Sequence, residues 1–153
     1  MKLIAHRGNI NGPNPLEENK PEYIEKAIEL GYDVEIDIRY YPDIEGLYLG
    51  HDDPQCVVNW LWLSKYKENL WIHCKNIEAL AEFSLESNGY NYFWHQEDDY
   101  TLTSKNYIWT YPGKTYKKNS VIVMPEWEKS INYDKLKASK CYAICSDYVG
   151  EIK

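Results

Sequence analysis

The sequence is poor in phenylalanine, in paired cysteines and in long apolar runs, and each shortage excludes a class of protein. Only two of its 153 residues are Phe. No apolar run approaches the ~20 residues of a membrane span, and Met1 to Ala5 runs straight into a polar motif without a signal peptide. We therefore expect a cytoplasmic protein without a membrane span. Its four cysteines lack CxxC spacing, which favours reduced structural thiols over a zinc or redox site.

Basic residues are also fewer than acidic ones, 17 against 24, which gives a formal net charge of -7. Nucleic-acid affinity depends largely on Lys and Arg, so the balance argues against a nucleic-acid partner. The sequence has no repeat, no low-complexity tract and no linker rich in Pro, Gly or Ser, which predicts one domain over residues 1–153. Oligomeric state has no signal in the sequence. Fifteen Tyr and six Trp indicate many rings with one wet edge, as at a half-covered barrel wall or a shallow ligand cleft.

Apolar runs bounded by turn residues alternate with a smaller number of helical patterns. The strand-like runs are residues 2–5, 34–39, 47–50, 70–75, 92–95, 107–110, 121–124 and 142–146. The helical patterns are residues 21–30, 57–66, 77–86 and 132–139. Spacers between residues 96 and 121 are too short for crossover helices. We predict an α/β fold, a compact, trimmed TIM-like (β/α)8 barrel of parallel character, with several outer helices shortened or missing. A full barrel needs about 250 residues.

Two of the strand-like runs carry charge on one face. Alternation places Glu35, Asp37 and Arg39 on one side of residues 34–39, opposite three aliphatic residues. It likewise places His73 and Lys75 together on residues 70–75. A charged inner face needs a metal or a ligand to organise it. The alternative is the solvated outer face of an antiparallel sheet.

Four polar motifs end successive apolar runs in the first third of the chain. They are His6-Arg7-Gly8, Glu18-Asn19, Glu35-Ile36-Asp37 and Gly50-His51-Asp52. Their order and residue identities resemble those of the glycerophosphodiester phosphodiesterase family, within the phospholipase-C-like barrel superfamily. The resemblance implies a metal-dependent phosphodiesterase that acts on a small glycerophosphodiester-like or sugar phosphodiester.

The resemblance assigns a divalent metal, Mg or Ca in the first place, to Glu35 and Asp37. Carboxylate oxygens suit such hard cations. The family's third ligand is a Glu in a Glu-x-Lys strand, but this chain reads His73-Cys74-Lys75 at that place. A nitrogen ligand would favour other divalent ions. Whether His73 is a ligand stays open at this point.

The remaining roles concern proton transfer and the substrate. The resemblance makes His6 and His51 the acid/base pair, because imidazole titrates near neutral pH. Arg7 and Lys75 would neutralise the phosphoryl oxygens. Glu18 and Asn19 match the family's Glu-Asn-Thr segment without its Thr, and we carry them over as site residues.

Later strand ends supply three further pocket candidates, Trp109, Glu126 and Asp147. Their mixture of aromatic and polar groups suits a hydroxyl-rich ligand at the end of a barrel where loops bind substrate. The alternative is an aromatic core capped by polar residues.

Two other functions compete with the enzyme. The replaced third carboxylate and the shortened second half are compatible with a catalytically weak or inactive phosphate or sugar-phosphate binding protein on the same barrel. A structural interaction protein with an aromatic surface would leave the inward charges unexplained.

Replacing either His6 or His51 by Ala should leave the chain folded and lower phosphodiester turnover by ~100-fold or more, because general acid or base catalysis contributes about that much. Circular dichroism would verify folding, and steady-state assays would measure turnover. Unchanged turnover in either variant would exclude proton transfer by that ring.

Overall fold

The computed structural model describes residues 1–85, 89–129 and 131–153, in which ten strands form one curled sheet. The strands are β1 (Lys2–His6), β2 (Asp33–Tyr41), β3 (Gly46–Leu49), β4 (Cys56–Val58), β5 (Leu70–Cys74), β6 (Asn91–Phe93), β7 (Tyr100–Leu102), β8 (Ile108–Thr110), β9 (Ser120–Val123) and β10 (Ala143–Ser146). The helices are α1 (Pro21–Glu29), α2 (Trp60–Tyr66), α3 (Ile77–Leu85), α4 (Tyr133–Lys137) and α5 (Val149–Ile152).

The barrel wall consists of parallel strands in the order β6, β5, β2, β1, β10, β9 and β8. Strand β10 pairs with β1, so the beginning and the end of the described chain are neighbours in the wall. Two antiparallel additions flank it. The β3–β4 hairpin pairs with the distal part of β2, and β7 pairs with β8. This arrangement directs the carboxyl ends of the parallel strands toward one mouth.

Two apolar layers hold the sheet. Outside, Ile36 and Ile38 of β2 pack in one cluster with Ile24 of α1 and Phe83 of α3, all fully buried. Inside, a second cluster fills the barrel with the rings of Trp71, Phe93 and Trp109. Along β5, the inward side chains change from Trp71 in this cluster to His73 toward the mouth, so the apolar core lies beneath a polar site.

The predicted α/β barrel with a reduced outer layer is confirmed, and every predicted strand is present. One pairing differs. Residues 46–49 run antiparallel to β2 rather than in the parallel wall, because the chain reverses in the short turn Pro42–Ile44 between the two strands. The helix predicted at residues 57–66 begins only at Trp60, where Asn59 caps it by accepting a hydrogen bond from the Trp62 amide. The helix predicted over residues 77–86 is present as Ile77–Leu85, and its predicted last residue lies outside the described residues.

Strands β4 and β7 and helix α5 were not expected from the sequence. Each has only three or four residues, too few to show a hydrophobic period. As predicted, no helix lies between β6 and β9 in the described chain. All four cysteines are free, and burial raises the pKa of the Cys74 thiol to about 12. Within residues 1–85, 89–129 and 131–153, we find no helix with the length and apolar character needed to cross a bilayer.

Candidate active site

Glu35 and Asp37 lie on the inner face of β2, next to His73 on β5. The strands are in register, with Asp37 opposite His73, so the three side chains point to the same place. Both carboxylates are buried, with Asp37 fully so. Nδ1 of His73 lies 3.2 Å from Oδ1 of Asp37 and 3.6 Å from Oε1 of Glu35. One ligand atom from each residue falls within 4.8 Å of the others, a separation suited to a shared cation.

Two contacts away from the carboxylates fix the orientation of the His73 ring. Its Nε2 lies 2.8 Å from the carbonyl oxygen of His95, which can only accept, so Nε2 carries a proton. Phe93 stacks on the ring at 5.0 Å between centroids. Nδ1 is therefore the atom presented to the carboxylates. Burial opposes a charge on this imidazole, but the adjacent carboxylates of Asp37 and Glu35 outweigh it and raise the pKa of His73 to about 9.

Asp37 is contacted from several sides. Asn19 donates from Nδ2 to Oδ2 at 2.9 Å and accepts from the Asp37 amide at 3.0 Å. Arg7 Nε lies 3.0 Å from Oδ2, and Lys75 Nζ lies 3.8 Å from Oδ1. Burial would raise the pKa of Asp37, but the adjacent imidazole of His73 and the charge of Arg7 hold that pKa below its usual range. The carboxylate is ionised.

Two buried carboxylate oxygens in this cluster have no hydrogen-bond partner of acceptable geometry. They are Oε2 of Glu35 and Oδ1 of Asp37. An unsatisfied buried acceptor costs about 1–3 kcal/mol, and more when it is charged. Oxygen donors of this kind are the preferred ligands of hard divalent cations, and an imidazole nitrogen completes a mixed set. The residues fit a divalent metal.

His6, at the end of β1, is held by a carboxylate from the last strand. Its Nδ1 lies 2.8 Å from Oδ1 of Asp147, and its Nε2 lies 3.9 Å from Oε2 of Glu35. Asn9 donates from Nδ2 to both Asp147 and Glu18, each at 2.8 Å. Burial disfavours the charged ring, but the hydrogen bond to Asp147 and the charge of Glu35 raise the pKa of His6 above its ordinary value.

His51 follows β3 and has the same kind of support. Its Nδ1 lies 2.7 Å from Oδ1 of Asp52. Arg39 donates from Nη2 to the carbonyl oxygens of His51 and Asp52 at 2.8 and 2.7 Å, which anchors the loop to β2. Gly50 has φ of +146°, and a Cβ there would overlap the carbonyl oxygen of Asp53. Only glycine allows this close turn.

Arg7 occupies the left-handed region, with φ of +52°. Its amide donates to the carbonyl oxygen of Glu35 at 3.0 Å, and its Nη1 pairs with Oε2 of Glu18 at 3.1 Å. These contacts hold the guanidinium over the acidic cluster. Arg7 and Lys75 therefore bring two cations to the site.

Two adjoining cavities open over these groups and share one boundary. The boundary consists of His6, Arg7, His51, Met124 and Trp127. The cavity that we call the aromatic lobe has a volume of 320 Å³ and is also lined by Glu35, His73, Lys75, His95, Gln96, Trp109, Tyr111, Pro112 and Val123. The cavity that we call the acidic lobe has a volume of 450 Å³ and is also lined by Pro13, Pro15, Glu18, Asn19, Asp52, Gln55 and Asp147.

A larger cavity, of 740 Å³, lies where β1, β9 and β10 begin, near Lys117, Lys140 and Tyr142. It contains none of the residues proposed from the sequence. We therefore place the chemistry at the carboxyl ends of the strands, where the ionisable groups converge, rather than in this larger cavity.

Most of the residues proposed from the sequence converge at this mouth. Trp109 reaches the aromatic lobe although it is only 4% exposed. Glu126 differs from its predicted position in the pocket wall. It lies behind Asp147, where its carboxylate accepts from the Asp147 amide at 2.7 Å and from the Ser146 hydroxyl at 2.9 Å, and it lines neither lobe.

Three contributors were missed from the sequence, Asn9, Arg39 and Trp127. Asn9 directly follows the first motif, so its position carried a signal. Arg39 shares a strand face with Asp37, but its bonds to the His51 loop depend on the antiparallel turn of β3. Trp127 ends a short turn after β9 and had no motif to mark it.

Comparison with known proteins identifies a shared fold for this chain but no family. No family model matches the sequence, and no curated protein matches it. A solved structure, a glycerophosphoryl diester phosphodiesterase from Parabacteroides distasonis, matches with a TM-score of 0.58 and 12% sequence identity. The two chains share a fold. The match covers 99% of this chain and 84% of the other, so the trimmed barrel corresponds to most of a longer one.

Replacing Asn19 by Ala should lower the free energy of unfolding by about 2–4 kcal/mol, because it removes two buried hydrogen bonds to Asp37, one of them to a charged group. Urea denaturation with a chelator present would measure the loss. The exposed Asn119→Ala variant, as a control, should change stability by less than ~0.5 kcal/mol. Equal effects in the two variants would show that the Asn19 contacts add no stability.

Proposed function

We propose that this protein is a metal-dependent phosphodiesterase that cleaves a small phosphodiester by general acid-base catalysis through His6 and His51. One observation carries the proposal. Two imidazoles, each supported at Nδ1 by a carboxylate, border the same cavity as Glu35 and His73, which form one cluster with the buried Asp37. The fold shared with a protein named as a glycerophosphoryl diester phosphodiesterase supports the same reaction class.

Glu35, Asp37 and Nδ1 of His73 would hold the divalent ion, with Mg or Ca as the first candidates and other divalent ions compatible with the imidazole. When bound, the ion supplies positive charge that lowers the cost of bringing the phosphodiester into an acidic site. Arg7 and Lys75 add hydrogen bonds to the non-bridging oxygens.

Proton transfer belongs to the two imidazoles. One takes the proton of the attacking hydroxyl, from water or from a neighbouring hydroxyl of the substrate, as the new P–O bond forms. The other donates its proton to the departing alkoxide as the second P–O bond breaks. Attack by water gives net hydrolysis, whereas attack by a neighbouring hydroxyl of the substrate gives a cyclic phosphate.

Asp147 acts on this chemistry as a positioning residue. By accepting from Nδ1, its carboxylate selects the ring orientation that presents Nε2 of His6 to the cavity. Asn9 and Glu126 hold Asp147 in turn. Asp52 gives His51 a similar partner, although its own side chain is 89% exposed.

A second candidate is a phosphate-binding protein with little turnover on the same barrel. The observation in its favour is His73, which stands where the resembling family has a carboxylate and pairs with Asp37 at 3.2 Å. A protonated imidazole there would compete with a metal for the two carboxylates.

The proposed function predicts alcohol release that requires a divalent ion. A panel of glycerophosphodiesters and sugar phosphodiesters should yield product with Mg²⁺, Ca²⁺ or Mn²⁺, and a chelator should abolish the release. Asp37→Asn should lose metal-dependent turnover, whereas the distant Asp43→Asn should retain it. Binding without turnover across the panel would favour the second candidate, and neither binding nor turnover would contradict both.

Replacing Asp147 by Asn should lower the pKa of His6, because it removes the carboxylate that raises that pKa. The limb of the pH–rate profile that belongs to His6 should therefore move to lower pH, with turnover reduced about 10- to 100-fold. Profiles of kcat/KM for the variant and the wild type would measure the shift. A profile lowered at every pH but unshifted would leave Asp147 a purely structural role.

A further inference from the structure

Positive charge is concentrated at the amino ends of the wall strands, in a protein whose formal net charge is -7. The 740 Å³ cavity at this end, which we call the lysine cavity, has no acidic residue in its described wall. Its side chains are Lys2, Lys117, Lys118 and Lys140, beside the rings of Tyr116 and Tyr142. A concave surface with charge of one sign concentrates its counter-ions. The lysine cavity therefore favours an anion.

Three of these lysines are not neutralised by the chain that the structure describes. Lys117, Lys118 and Lys140 are exposed, and none of them forms an ion pair with a described carboxylate. By contrast, Lys2 pairs with Asp33 at 2.7 Å. Like charges that gather without partners repel one another, so a bound anion would relieve the repulsion. An anion with several phosphate groups matches this charge better than a single phosphate does.

Backbone hydrogen bonds hold three of the lysine-bearing segments side by side. The Lys2 amide donates to the Tyr142 carbonyl at 3.1 Å, and the Tyr142 amide donates to the Ser120 carbonyl at 2.9 Å. The Ser120 amide donates to the Lys117 carbonyl at 3.0 Å, and the Ser120 hydroxyl accepts from the Lys117 amide at 2.9 Å. The backbone of these segments is thus positioned before a ligand binds, which lowers the entropic cost of binding.

A smaller cavity, of 260 Å³, shares Lys2 and Tyr142 with the lysine cavity and contains an unpaired polar group. Asn91 of β6 lies in its wall, next to Trp71 of β5, and is only 4% exposed. The side-chain oxygen of Asn91 has no hydrogen-bond donor among the described residues. A buried acceptor without a donor is unfavourable. A hydroxyl group of a ligand would satisfy it.

The charged groups of the smaller cavity are mixed. Asp33 and Glu68 lie in its wall together with Lys67 and Lys105. Lys105 pairs with Glu68 at 3.9 Å. Because the two signs are balanced, this cavity suits a neutral part of a ligand that carries hydroxyl groups, whereas the lysine cavity suits its phosphates.

We propose that the two cavities together bind an organic polyphosphate with free hydroxyl groups, the chemistry that nucleotides and sugar bisphosphates share. Its phosphates lie against Lys117, Lys118 and Lys140, and one of its hydroxyls donates to Asn91. The site is at the end of the barrel opposite the candidate active site, so the proposal is independent of the proposed phosphodiesterase.

The test compares three ligands of similar charge by titration calorimetry on the intact protein, with a chelator present. ADP and fructose 1,6-bisphosphate carry alcohol hydroxyls, whereas pyrophosphate has none. We expect at least one of the first two to bind ~3-fold or more tightly than pyrophosphate, as one added hydrogen bond allows. The tighter of the two shows whether the ligand is a nucleotide or a sugar phosphate.

Two matched double variants locate the phosphates. Lys117→Gln combined with Lys118→Gln should weaken the binding of the tighter ligand ~5-fold or more, because it removes two charges from the lysine cavity. Lys20→Gln combined with Lys129→Gln removes the same charge near the mouth of the barrel and should change that affinity less than ~2-fold. Circular dichroism would verify that both variants fold.

Asn91→Leu tests the hydroxyl contact. The substitution keeps the approximate size of the side chain and removes the unpaired oxygen, so the protein should stay folded. The preference for the hydroxyl-bearing ligand over pyrophosphate should disappear, while the affinity for pyrophosphate itself should not change.

Four results would overturn the proposal, whether or not the protein cleaves phosphodiesters. Absence of binding, or equal effects of the two double variants, would remove the phosphate contacts. A preference that survives Asn91→Leu would remove the hydroxyl contact. Loss of binding in Lys75→Gln but not in the Lys117 and Lys118 double variant would place the ligand in the candidate active site. Tighter binding of a short single-stranded oligonucleotide would favour a nucleic acid instead.

Discussion

A fully buried carboxylate, Asp37, imposes the main constraint on this structure. Removing a charge from water costs several kcal/mol unless other groups compensate. Compensation comes from four residues on three segments: Arg7 after β1, Asn19 before α1, and His73 and Lys75 at the end of β5. Three of these residues, Arg7, His73 and Lys75, are also part of the proposed chemistry. The charge that destabilises the interior is thus the one that organises the site, and the unpartnered oxygens leave room for a divalent ion.

The part of the site nearest this carboxylate was predictable from the sequence because it depends on strand alternation. A period of two residues places Glu35 and Asp37 opposite the aliphatic face of β2, and the same period places His73 with Lys75. Parallel strands end at one edge, so the meeting of the polar residues that follow them can be predicted without knowing the structure of the loops. The fold followed from the same signals, since a series of short buried strands with few helices fits a barrel with a reduced outer layer.

Loop geometry and strand direction were less accessible. The antiparallel course of β3 depends on a turn after Tyr41 and on the unusual backbone of Gly50, neither of which alters the apolar pattern of residues 47–50. Arg39 reaches the loop of His51 only because of that turn. Glu126 is a polar residue at a strand end, as a pocket residue would be, but its carboxylate accepts a hydrogen bond from the Asp147 amide directly after β10. Side chains that support other side chains have no period in the sequence, so contacts of this kind need coordinates.

The pairing of β1 with β10 has a consequence for how the molecule is made. Residues 2–5 align with residues 143–146, and His6 meets Asp147 one step further along the same seam. Pairing of such sequence-distant strands is slow, because a long loop must close before any contact rewards it. On the ribosome, β1 can pair with β10 only after the 141 residues that separate His6 from Asp147 have been synthesised. A nascent chain that lacks β10 has neither the strand that joins β1 to β9 nor an oriented His6, so the site can form only after β10 has been synthesised.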